Sequence, residues 1–76
     1  MNKPRRKSLQ SIIEQLNALR DELETLKDEE QEYYDNMPDG IQMSERDEKA
    51  EEAISNLESA MDSIEEAAGY IEEATA

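Results

Sequence analysis

The chain has no cysteine, histidine, tryptophan or phenylalanine, and only two prolines and two glycines in 76 residues. Each absence excludes something. Without cysteine there is no disulfide framework, no thiolate zinc site and no cysteine nucleophile. Without histidine the commonest general base and the commonest transition-metal ligand are missing. Three tyrosines, Tyr33, Tyr34 and Tyr70, are the whole aromatic complement, too few for a base-stacking surface. The longest apolar runs are dipeptides such as Ile12-Ile13, far short of the roughly 20 residues that cross a bilayer. Basic residues near the start are not followed by an apolar stretch, so a secretory signal is not expected either. These readings place the protein in the cytoplasm, off the membrane.

What is present is charge of one sign. Twenty-one acids against eight bases give −13 at neutral pH and a pI near 4.1. Such a balance opposes nucleic-acid backbones and anionic lipid, so direct nucleic-acid binding is not expected. The charge is segregated. Residues 1–8 carry +4 (Lys3, Arg5, Arg6, Lys7), residues 9–35 carry −7, and residues 36–76 carry −10.

Apolar spacing names the elements. Leu9, Ile12, Leu16, Leu19, Leu23 and Leu26 follow at alternating intervals of three and four. This is the heptad seam of a helix, with Leu9, Leu16 and Leu23 at a and Ile12, Leu19 and Leu26 at d. Ile13 widens the stripe at e; the next a is Glu30, the next d Tyr33, and Tyr34 again falls at e. In the second half the units EEAISNL, ESAMDSI and EEAAGYI repeat every seven residues, with a seam of Ala50, Ile54, Leu57, Met61, Ile64, Ala68 and Ile71. Beside that seam Ala53, Ala60, Ala67 and Ala74 recur at heptad spacing, a small-residue flank that lets another helix come close.

Proline and glycine cluster only at Asp35-Asn36-Met37-Pro38-Asp39-Gly40. Pro38 disfavours helix at Met37, Asp-Gly favours a turn, and Ser44 can cap a following helix. The spacing predicts an all-α antiparallel hairpin: helix 4–34, turn 35–43, helix 44–73. Folding back would set basic residues 3–7 beside Glu65, Glu66, Glu72 and Glu73, which offsets four cations at a helix N-terminus. Two helices shield only one stripe of each other. The remaining apolar surface, assigned here to Ile13, Tyr33, Tyr34, Ala53, Ala60 and Ala67, is expected to dimerise the hairpin into a four-helix bundle or to take a protein partner.

No chemistry-bearing constellation survives inspection. Paired carboxylates lie on what read as solvated helix faces, where nothing pulls two pKa values apart. Di-iron bundles need Glu-x-x-His pairs, and there is no histidine. The turn glances at a calcium loop, with Asp35, Asp39 and Gly40 at first, fifth and sixth positions, but the third is Met37 and the twelfth Arg46. No catalytic residue, cofactor site or metal site is assigned, and the protein is read as non-enzymatic. The basic start reads as a helix-end charge partner, a solvated arm, or a contact for an acidic partner. Tyr33-Tyr34 reads as closure of the core or as an anchor for a partner.

Residues 35–57, DNMPDGIQMSERDEKAEEAISNL, resemble short acidic helical proteins of phages and mobile elements of Gram-positive bacteria. Those share an Asn-x-Pro-Asp/Glu turn, a following Gln and Ser-Glu-Arg, and Glu-Glu-Ala-Ile heptads; the match runs from Asn36 to about Ala74. It implies a phage or prophage setting, no activity, and no functional residues. The charge also admits a second function. In a DNA-mimic inhibitor, Glu51, Glu52, Glu58, Glu65 and Glu66 would stand for phosphates in the basic cleft of a nuclease, repair or defence enzyme.

Overall fold

In the computed structural model, the Asn2 side chain opens the first helix by accepting the Arg5 backbone N–H at 2.9 Å. Pro4 follows in the first turn, where its missing N–H costs nothing. Helix α1 spans Lys3–Asp35 and ends with the Asn36 N–H bonded to the Glu32 carbonyl at 3.1 Å. Helix α2 spans Glu45–Thr75, where the Thr75 hydroxyl donates to the Glu72 carbonyl at 2.8 Å. The structure describes residues 1–36 and 45–76, with the side chains of residues 45–47 left aside. Of the expected turn 35–43, Asp35 belongs to α1 and Asn36 caps it, while residues 37–43 and the Ser44 cap lie outside the described residues. The helix ends differ from the spacing-based ones by one or two residues, and the cap at Asn2 is an addition.

The two helices pack along their length as an all-α hairpin 59 × 15 × 12 Å in extent. Its radius of gyration is 17.4 Å, against about 11 Å for a compact chain of this length. The molecule is a rod two helices thick.

Cross-helix hydrogen bonds report the register. The Arg20 guanidinium donates to Glu65 at 2.6 Å and the Tyr34 hydroxyl donates to Glu51 at 2.8 Å. In both pairs the residue numbers add to 85, so the helices are antiparallel and in constant register between these points. The core then follows in levels. Leu9, Ile13, Leu16, Leu23 and Tyr34 of α1 turn inward against Ala50, Ile54, Leu57, Met61, Ile64, Ala68 and Ile71 of α2. The α2 seam is the one its spacing predicts.

The α1 seam is rotated. With Leu9 as a, the inward columns are a and e, not a and d. Ile13 is the most buried side chain at 2% exposure, while the d residues Ile12, Leu19, Leu26 and Tyr33 stand at 43%, 51%, 54% and 50%. The other e residues, Arg20, Lys27 and Tyr34, are half-buried, as amphipathic side chains at the rim of a seam commonly are. The rotation turns Arg20 and Tyr34 toward Glu65 and Glu51 of α2, whose seam residues Ala50, Ile54, Leu57, Met61, Ile64, Ala68 and Ile71 are lettered a and e from Ala50, with alanine at d.

The register also corrects the N-terminal charge pairing. Glu72 comes level with Ile13 and Glu65 with Arg20, so Lys3, Arg5, Arg6 and Lys7 sit at least one turn past the acids expected to face them. Arg20 supplies the cross-helix ion pair instead.

Because Ile13 is enclosed and Leu16 sits in the seam, Ile13→Val should cost about 0.5–1.5 kcal/mol. Ile13→Asp or Leu16→Asp should abolish cooperative unfolding by burying an unpartnered carboxylate. Thermal melts followed by circular dichroism check both. A wild-type melt for Ile13→Asp would contradict the rotated seam.

Candidate interaction surface

The rotation gives the rod two unlike long faces. In an antiparallel pair that shares a and e columns, the two d columns flank the seam on one side and the two b columns on the other. This follows from the right-handed helix and its period of 3.6.

The b side is polar. Glu51, Glu58, Glu65 and Glu72 form the b column of α2. They come level with Tyr34, Lys27, Arg20 and Ile13 respectively in the register set by the Arg20 and Tyr34 contacts. Arg20 bridges Glu65 across the helices and Asp21 beside it, at 2.6 and 2.9 Å, and Lys27 pairs with Asp28 at 3.6 Å. Desolvation pulls the Arg20 pKa down, but the charges of Glu65 and Asp21 and their hydrogen bonds outweigh it and raise the pKa overall. Arg20 therefore holds a fixed positive charge inside an acidic row.

The d side is apolar and asymmetric. Ile12, Leu19, Leu26 and Tyr33 form a ridge along α1, about 32 Å from first to last. On α2 the d column is Ala53, Ala60, Ala67 and Ala74, of which the first two are half-buried and the last two exposed. A shallow depression lined by Glu22, Thr25 and Leu26 adjoins the ridge. Tyr70, at 65% exposure, stands beside the alanines, its hydroxyl donating to Glu66 at 3.4 Å.

The residues assigned from spacing divide accordingly. Ile13 belongs to the interior of the hairpin and is not available as an outer surface. Tyr34 folds into the seam and bonds Glu51, while its neighbour Tyr33 points outward on the ridge. Ala53, Ala60 and Ala67 share the d side with Tyr33. Ile12, Leu19, Leu26 and Tyr70 are surface residues that the spacing alone put in the seam or left unassigned. Of the five carboxylates considered for phosphate mimicry, Glu51 and Glu65 are engaged by Tyr34 and Arg20, Glu66 receives Tyr70, and Glu52 and Glu58 are exposed.

Among the described residues no group of three His, Cys, Asp or Glu side chains is placed to hold a metal ion, and no helix is long and apolar enough to cross a membrane. No family model matches the chain, and no curated protein or solved structure matches it.

The Arg20–Glu65 contact is exposed enough to be screened. A double-mutant cycle with Arg20→Ala and Glu65→Ala should show favourable coupling at low salt that vanishes near 1 M, where the Debye length is about 3 Å. Coupling that persists at high salt would mean a desolvated pair and a different setting of the two helices.

Proposed function

We propose that the protein is a non-enzymatic helical module that works by self-association and protein–protein contact. The observation that carries this reading is the ridge Ile12, Leu19, Leu26 and Tyr33, left about half exposed by the hairpin that should have covered it. A solvated heptad column of large apolar residues is surface that association would remove from water. The carboxylates support the same reading from the other side. Among the described residues they are spread along solvated columns or bonded to Tyr34 and Arg20, with no pair seen in contrasting environments of the kind acid–base chemistry requires.

A cytoplasmic setting fits the absence of long apolar runs, and the likeness of residues 35–57 to phage helical proteins adds a phage or mobile-element context. Phosphate mimicry is the weaker reading, because Glu51 and Glu65 serve the hairpin's own cross-helix contacts.

Self-association makes two measurements move together. The melting temperature should rise with protein concentration, since the associated state is favoured by mass action. It should also rise with added salt, because each chain carries −13 and like charge opposes association until screened. Replacing Glu51, Glu52, Glu58, Glu65 and Glu66 with Gln should leave association intact or strengthen it. A melting temperature independent of concentration from micromolar to millimolar would overturn the reading, and loss of association in the five-Gln variant would return weight to the carboxylates.

A further inference from the structure

We infer that the d side of the hairpin is a self-complementary surface whose occupant is a second copy of this chain, with α1 of each protomer seated on α2 of the other. The inference rests on the self-association reading above and adds the face, the orientation and the residues.

The ridge and the alanine row match rung for rung. In register they form the pairs Ile12/Ala74, Leu19/Ala67, Leu26/Ala60 and Tyr33/Ala53. The numbers in every pair add to 86, within one of the register that Arg20–Glu65 and Tyr34–Glu51 define. One surface therefore carries a row of projections and, beside it, a row of recesses with the same repeat. A two-fold axis parallel to the helices lays the projections of each copy into the recesses of the other, and each layer then holds two large side chains and two alanines. A two-fold axis perpendicular to the helices would instead stack ridge on ridge and alanine on alanine, leaving voids along the second line.

Charge permits the first arrangement. From Glu51 onward every acid of α2 lies in its b, c or f column. The column that borders the alanine row contains Lys49, Asn56, Ser63 and Tyr70, and no acid. Glu22 and Glu29, the acids bordering the ridge of α1, come level with Ser63 and Asn56 of the second copy. The −13 of each chain is thus concentrated away from the contact.

Area points the same way. The chain exposes 5725 Å², where a compact monomer of its mass exposes about 4,700 Å². One 59 × 15 Å face presents about 900 Å², comparable to the ~800 Å² that each partner gives to a stable interface.

The chain has no cysteine, so introduced cysteines read the arrangement directly. Sedimentation equilibrium of the wild type should show a dimer, and Leu19→Glu/Leu26→Glu should raise its dissociation constant at least about a hundredfold, with helical circular dichroism retained at high concentration. Should that variant unfold, cross-linking decides. Mixed Leu26→Cys and Ala60→Cys chains should oxidise to a heterodisulfide dimer, and Leu26→Cys alone should not cross-link to itself. A monomeric wild type from micromolar to millimolar would overturn both this inference and the self-association reading. A dimer that survives the double Glu variant, that cross-links through Leu26→Cys alone, or that gives no mixed disulfide would overturn this inference alone and leave association to another face or partner.

Discussion

The rotational setting of α1 decides everything else in this molecule. That helix carries apolar residues at three of four a positions, at all four d positions and at two of four e positions, more than a single partner helix can cover. Helix α2 presents one apolar stripe, Ala50, Ile54, Leu57, Met61, Ile64, Ala68 and Ile71, and it covers the a and e columns of α1. The e column of α1 supplies the rest of the fit. Ile13 fills the apolar end, while Arg20 and Tyr34 reach Glu65 and Glu51 around the side of the seam. Turning α1 to bury Ile12, Leu19 and Leu26 would bring Ile13 out and carry Arg20 away from its carboxylate.

Rotation and axial register are set by different features. Glutamate occupies Glu51, Glu58, Glu65 and Glu72 alike, so sliding the helices by one heptad would still give Arg20 an acid. The charges hold α1 at one angle but do not count residues along the axis. Axial position is limited instead by the nine residues between Asp35 and Glu45 and by the near-equal helices, since any slip unpairs apolar surface at both ends. Opposite charge does here what it does well, choosing an orientation, while burial supplies the stability.

Much of this was legible in the chain. The existence of both helices, their ends to within two residues, and the whole α2 seam followed from spacing, because every large apolar residue of α2 but Tyr70 lies in one stripe. Helix α1 was ambiguous for a physical reason. Columns d and e flank a on opposite sides, and Ile12-Ile13 places an isoleucine on each. Choosing between them needs the partner's face, and a heptad read on one helix says nothing of the helix opposite. The same gap explains the charge pairing. Segregated blocks suggested that the N-terminal cations meet the C-terminal acids, whereas the register puts Arg20 there. A usable signal did exist. Arg20 and Lys27 occupy e in the same helix that has Ile13 and Tyr34 there, a column of long side chains suited to an acidic row across the seam.

The a/e packing that explains the hairpin also explains why the hairpin is incomplete. Burying a and e consumes the polar b row of α2 as the rim of the seam on one side. It leaves the opposite rim to d, where α1 is large and α2 is alanine throughout. In that column Ala53 and Ala60 are half-buried beside the seam, while Ala67 and Ala74 are exposed. The recurrence of alanine at 53, 60, 67 and 74 favours the helix itself and keeps one line of the surface low. The projections of matching height and spacing are on the neighbouring helix of the same chain, where they cannot enter recesses beside them. In the dimer we infer, the ridge of each copy would meet the alanine row of the other.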